Sequence, residues 1–195
     1  MASTFGPSAL ATPANAVTLA RLLGTPLLVS VVVAYGPASW LLVGMWFVLA
    51  GSDGIDGWVA RRQGATRSGA FLDPLADKFL VLGALAALAA IHDVSWVPVS
   101  LIAAREVAMS AFRSYAGRRG VSVPARQTAK LKTAAQDLAV MLAFLPPVGV
   151  HHLAVVTWTL WVAVGFTLLT GLEYLHEARK LLDTGTGTAP RVPAA

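Results

Sequence analysis

Long apolar runs broken by short polar connections restrict this chain more than any other feature of its sequence. Runs such as V-T-L-A-R-L-L-G-T-P-L-L-V-S-V-V-V-A-Y and W-L-L-V-G-M-W-F-V-L-A are too long for ordinary strands and lack period-two alternation. Helices are therefore favoured over a barrel. Only 13% of the 195 residues are charged and 56% are hydrophobic, against about 25% charged in soluble domains. With a mean hydropathy of +0.65, the expected fold class is an all-α polytopic membrane protein, its helices surrounded by lipid. Cys is absent, which excludes disulfides, thiolate chemistry and cysteine metal sites.

Six spans are expected. The first covers Ala16 to Tyr35, with Asn15 or Thr18 available as a cap and Pro26 as a tolerated kink. The second starts near Ser39, after G-P-A-S, and carries Asp53, Asp56 and Arg61 at its lower end. The third runs from about Gly69 to Ala90 and includes Asp73 and Asp77. After an H-D-V-S turn, the fourth covers Trp96 to Tyr115, and the fifth runs from Lys130 to Phe144, ending at Pro146 and Pro147. The fifth is the weakest, because its purely apolar part, Leu138 to Leu145, is short for an apolar layer of roughly 30 Å. The sixth covers Leu153 to Leu175. One six-helix domain is thus expected over 1–182, with a disordered Gly/Thr/Pro/Ala tail over 183–195. A secretory signal is not expected, since Met1 to Pro13 has no basic n-region.

Basic residues give the orientation. Arg61, Arg62 and Arg67 lie between spans two and three. Arg118, Arg119, Arg126, Lys130 and Lys132 lie between four and five, and Arg179 and Lys180 follow six. The opposite connections contain no Lys or Arg. The positive-inside rule puts the charged loops and both termini in the cytoplasm, in a cell inner membrane or plasma membrane. The net charge of +5 is accounted for by these loops, and no basic soluble domain remains to bind nucleic acid.

Inside or beside these runs stand four aspartates, in D-G-I-D-G-W-V-A-R and, seven residues later, G-A-F-L-D-P-L-A-D. Asp53 and Asp56 are three apart and Asp73 and Asp77 four apart, so each pair shares a helix face. Clustered carboxylates near hydrocarbon are costly unless cations neutralise them. Oxygen donors suit Mg²⁺ or Mn²⁺, whereas zinc would recruit His or Cys. His92, His151, His152 and His176 are remote from the cluster, the first three on the opposite side. Gly54, Gly57, Ala60, Gly69 and Ala70 remove bulk where a nucleotide could approach; close helix packing is the other use of such residues.

The pattern resembles the CDP-alcohol phosphatidyltransferase signature D-x-x-D-G-x-x-A-R, a spacer, then G-x-x-x-D-x-x-x-D. Asp53, Asp56, Gly57, Ala60, Arg61, Gly69, Asp73 and Asp77 match every fixed position. The resemblance implies a six-span transferase with two divalent cations held by Asp53, Asp56, Asp73 and Asp77, and with Asp77 also acting as general base. It further implies that Gly57, Ala60, Arg61 and Gly69 line the CDP site, and that CMP leaves. Homodimers are common in the family, although the small residues serve packing within one chain equally well.

On the acceptor side, Arg105 and Arg113 are eight apart in the fourth span, nearly on one face, and could grip the phosphate of a small acceptor. Lys130 and Lys132 either join them or snorkel to headgroups. Glu106 is expected to pair with a nearby basic residue. Lys78 faces differently from Asp77 and need not touch the same ligand. Asn15 and Arg21 either orient the first helix near the nucleotide or serve as cap and headgroup contact. The runs A-R-E-V-A-M-S-A-F-R, A-K-L-K-T-A-A-Q and N-A-V-T-L-A-R-L-L look like the phosphatidylglycerophosphate synthase branch. That branch implies CDP-diacylglycerol and sn-glycerol 3-phosphate as substrates. Cardiolipin or phosphatidylinositol phosphate synthesis within the family, a cation or proton transporter, and a structural membrane protein remain the alternatives.

Overall fold

A computed structural model describes residues 13–63, 67–118 and 127–183, with side chains described over 16–52, 74–115 and 131–172. The described residues form helices α1 (Pro13–Tyr35), α2 (Trp40–Gln63), α3 (Arg67–Ala90), α4 (Trp96–Arg118), α5 (Gln127–Phe144), α6 (Pro146–Gly149) and α7 (Leu153–Asp183). The six expected segments correspond to α1 to α5 and α7. The single turn α6, at the paired prolines, was not expected. Helix α5 begins three residues before Lys130 and has 18 residues, about 27 Å at 1.5 Å per residue. Helix α7 continues beyond the expected end at Leu175. Of the tail expected over 183–195, Asp183 instead ends α7, and residues from Thr184 lie outside the described residues.

Local chemistry explains the turns. The Ser39 and Ser95 hydroxyls accept the N–H groups of Leu41 and Val97, each at 3.2 Å, and so cap α2 and α4. Helix α1 ends where Gly36 adopts φ 85°, its N–H donating to the Val32 carbonyl. At the end of α3 the left-handed position falls on His92, at φ 63°. The His92 N–H reaches Ala89 O and the Asp93 N–H reaches Leu88 O, the paired bonds of a Schellman ending. The Ser39 N–H donates to Phe144 O at 3.0 Å, which fixes the α1–α2 turn beside the end of α5.

Helix α1 packs most extensively on α3 and α2, while α5 packs on α7. Two glycines permit the close approach: a Cβ on Gly24 would come within 2.6 Å of Leu49, and one on Gly83 within 3.1 Å of Thr25. The core includes Leu28, Leu80, Leu85, Ile102, Val140 and Leu160, and Trp46 of α2 meets Phe144 of α5 edge to face at 5.8 Å.

Polarity is distributed unlike that of a water-soluble bundle. Arg21, Glu106, Lys132, Gln136, Thr167 and Thr170 are buried, whereas Leu23, Leu27, Phe47, Val48, Leu169 and Leu172 are exposed. Two stretches, Ala16–Tyr35 and Leu153–Leu172, are long and apolar enough to cross a membrane, each with mean hydropathy 1.9. Trp40–Ser52 is a shorter apolar stretch. Helix α4 interrupts its run with Arg105, Glu106 and Arg113, and α5 with Lys132 and Asp137. Of these, Glu106 and Lys132 are buried and make the interior polar, whereas Arg113 is exposed.

Candidate active site

A cavity of about 470 Å³ opens between α3, α4 and α5. Helix α3 lines it with Asp77 and Lys78, α4 with Arg105, Glu106, Met109 and Arg113, and α5 with Lys132, Thr133, Gln136 and Asp137. Residues separated by up to 60 positions in sequence thus face one space. Asp77, Arg105, Arg113 and Lys132 were all expected at the site, and the fold brings these four together. Lys78 also lines the cavity, despite its different helical heading from Asp77.

Glu106 organises the cationic wall. Its Oε1 accepts from Arg105 Nη1 at 3.0 Å and from Lys132 Nζ, and its Oε2 lies 3.5 Å from Lys78 Nζ. Glu106 as a residue is only 4% exposed and Lys132 6%. Burial of such charges is tolerable when each is paired and hydrogen-bonded. The expected pairing of Glu106 with a basic residue therefore extends to three of them. Lys132 points inward to this carboxylate, so snorkelling to headgroups does not describe it.

A polar seam on α7 forms the support behind these groups. Arg105 Nη2 donates to Thr170 Oγ1 at 2.8 Å, and Gln136 Nε2 to Thr167 Oγ1 at 3.3 Å. Arg105 Nε is buried with no hydrogen-bond partner among the described residues. Arg105 as a whole still lines the cavity, where a guanidinium suits an anion. Lys78, Gln136 and Thr170 were not expected at the site. Glu106 carried the usable signal, because a carboxylate amid apolar residues requires cations to face it.

A second contact lies between α1 and α2. Arg21 is 1% exposed, and its Nε and Nη2 donate to Ser52 Oγ at 3.1 and 3.0 Å. Ser52 immediately precedes Asp53. The alternative of Arg21 at lipid headgroups is thereby corrected: burial carries its guanidinium inward, against α2.

The backbone places Asp53 and Asp56 on α2 and Asp73 and Asp77 on α3, helices that pack against each other. The side chains of Asp53, Asp56, Gly57, Ala60, Arg61, Gly69, Asp73 and Lys130 lie outside the described residues. Among the described residues no group of three or more His, Asp or Glu forms a ligand set. The donor set itself, carboxylates without His or Cys, fits a hard divalent cation. His92, His151 and His152 sit in the turns at the opposite end of the helices, as expected.

Comparison with known sequences gives one consistent result. The sequence model of CDP-alcohol phosphatidyltransferases matches residues 11–169. A probable phosphatidylglycerophosphate synthase of Mycobacterium tuberculosis is 38% identical over 185 residues, covering 92% of this chain and 87% of the relative. A CDP-diacylglycerol–glycerol-3-phosphate 3-phosphatidyltransferase of Pseudomonas fluorescens is 36% identical over 180 residues, covering 87% and 91% respectively. The enzyme of the same name from Rickettsia bellii is 34% identical over 171 residues, covering 85% and 94%.

Proposed function

The chain belongs to the CDP-alcohol phosphatidyltransferase family, and from that premise we propose that it joins CDP-diacylglycerol to sn-glycerol 3-phosphate. The products are phosphatidylglycerol phosphate and CMP. One observation carries the reading at the level of the site: Asp77 lines the same cavity as Arg105, Arg113 and Lys132. A carboxylate for the acceptor hydroxyl and cations for the acceptor phosphate are both needed there, within the length of one small molecule.

In this reading Arg105, Arg113, Lys132 and Lys130 hold the acceptor phosphate. That grip orients the acceptor hydroxyl towards the phosphorus bonded to diacylglycerol. A new P–O bond forms there as the pyrophosphate P–O bond breaks, and CMP departs with the electron pair. Asp77 takes the hydroxyl proton. Positioning supplies much of the rate, because phosphoryl transfer asks little covalent chemistry of the protein. Gly57, Ala60, Arg61 and Gly69 line the CDP site in the same reading.

Asp53, Asp56, Asp73 and Asp77 would hold Mg²⁺ or Mn²⁺, two ions in all. Bound there, divalent cations supply neutralisation of the diphosphate and of charge developing on the leaving oxygen. Without such cations the four carboxylates would repel one another and the substrate alike.

A multi-pass topology with cytoplasmic termini and a cytoplasmic-side site belongs to the same proposal. Exposed apolar faces on long helices and a buried polar interior support it. Tyr35, Trp40 and Trp96 are exposed at the helix ends away from the basic connections, where aromatic residues favour a membrane–water boundary. A homodimer is the assembly that the family resemblance favours, and cross-linking in native membranes tests it.

The deciding experiment measures CMP release by purified protein across a panel of acceptors, with Mg²⁺, with Mn²⁺ and after chelation. Preference for glycerol 3-phosphate and loss of activity on chelation are expected. Exclusive use of phosphatidylglycerol or inositol phosphate would move the chain to another branch of the family.

A further inference from the structure

We propose that Glu106 is a positioning residue for the acceptor phosphate, gathering Lys78, Arg105 and Lys132 from three helices into one anion-receiving set. Lys78 thereby becomes a phosphate-binding residue in its own right. The inference rests on the reading that this cavity receives an acceptor phosphate, and it adds two residues to that site.

Glu106 is poorly placed to serve as a base. Both carboxylate oxygens face cations, and the side chain is 5% exposed. Its geometry instead suits a clamp. Lys78 Nζ is fixed from a second side by the Ser110 hydroxyl, which itself donates to the Glu106 carbonyl at 2.7 Å. Arg105 is fixed from its second side by Thr170. Three cations this close, in a poorly solvated interior, would repel and swing apart without a shared counter-charge. One carboxylate holds three positive charges and leaves an excess of two. Arg113, Asp77 and Asp137 line the same cavity, where cations still outnumber carboxylates, so a phosphate monoester, about −1.5 to −2 at neutral pH, is drawn to the cluster without displacing Glu106.

Charge counting and positioning make opposite predictions for Glu106→Gln. If Glu106 merely repels anions, its neutralisation tightens phosphate binding. If it positions the cations, binding weakens although the cavity has gained a positive charge. The experiment titrates inorganic phosphate and, separately, CDP with Mn²⁺ into the full-length protein by calorimetry. Acceptor and CDP-diacylglycerol KM values are then measured through CMP release. Inorganic phosphate should bind at least about fivefold more weakly to the variant, and the acceptor KM should rise to a similar degree. CDP affinity and the KM for CDP-diacylglycerol should stay within about twofold.

Unchanged or tighter phosphate binding overturns the proposal. So does an equal loss of CDP and phosphate binding, which would mark Glu106 as a general structural residue. If Glu106→Gln fails to fold, Lys78→Gln decides, because Lys78 is partly exposed at the cavity wall. It should weaken phosphate about threefold while sparing CDP, and unchanged phosphate affinity there is equally fatal. A wild-type protein that releases no CMP with glycerol 3-phosphate defeats the acceptor assignment alone. The phosphate titration still decides the role of Glu106, and a wild type that binds no phosphate overturns it.

Discussion

The buried guanidinium of Arg21 in α1 donates two hydrogen bonds to the hydroxyl of Ser52 in α2, at 3.1 and 3.0 Å. Ser52 is the residue before Asp53. The first helix therefore grips the second at the point where the acidic signature begins. Ser52→Ala removes an acceptor from a buried cation, a loss of about 1–3 kcal/mol. A lower melting temperature and several-fold weaker CDP binding are the expected results. Binding of CDP at wild-type strength would show that this contact does not set the position of the signature.

Asp77→Asn keeps size and shape while removing the proposed proton acceptor. Turnover should fall by about 10²–10⁴, with CDP-diacylglycerol still binding substantially. Initial rates of CMP release and a binding titration separate the two effects, and an unchanged rate would exclude Asp77 as the base.

Arg105→Ala should impair use of the acceptor far more than use of the lipid nucleotide. The acceptor KM is expected to rise at least about tenfold, the range for losing a charge-assisted phosphate contact. Identical acceptor kinetics in the variant would remove Arg105 from the phosphate site. Thr170→Val probes the same group less severely, because it deletes only the hydroxyl that steadies Nη2.

Asp56→Ala should weaken divalent-ion and nucleotide binding together. The coupling would follow if the divalent cations proposed for this site neutralise both the carboxylates and the diphosphate. Calorimetric titration of Mn²⁺, with and without CDP, tests it. Loss of one affinity without the other would mean that ion and nucleotide bind independently.

At the opposite end, burial raises the Asp93 carboxyl above its ordinary value of 3.8, and its Oδ2 has no hydrogen-bond partner among the described residues. A carboxyl with a raised folded pKa favours the folded state most below its unfolded pKa. That contribution disappears as pH rises through the folded value. Asp93→Asn should therefore raise the melting temperature at neutral pH and have little effect near pH 3. Melting curves across the acid range check both the sign and the window. An equal change at all pH values would assign the effect to packing instead.

Several features were legible in the chain itself. Ser39 and Ser95 end their turns as expected because capping is local chemistry, and Gly36 ends α1 for the same reason. The four aspartates, with Gly57, Ala60, Arg61 and Gly69, carried the resemblance to the family, and Arg105 stood out as a cation within an apolar run. Other features were not legible, since each depends on which helices become neighbours. Nothing in the Asp77–Lys78 dipeptide reveals that Lys78 reaches the same cavity from a different helical heading. Arg21 and Ser52 gave no sign of each other across 30 intervening positions. The side chains of Asp53, Asp56 and Asp73 stay outside what the structure describes.

Local periodicity, capping and motif spacing thus determined the helices, their order and the kind of chemistry the chain supports, because those depend on residues near one another in sequence. Only the tertiary structure decided that Glu106 would be shared by Lys78, Arg105 and Lys132. A buried charge accepts whichever partners helix packing delivers, and that packing is settled by the whole bundle at once.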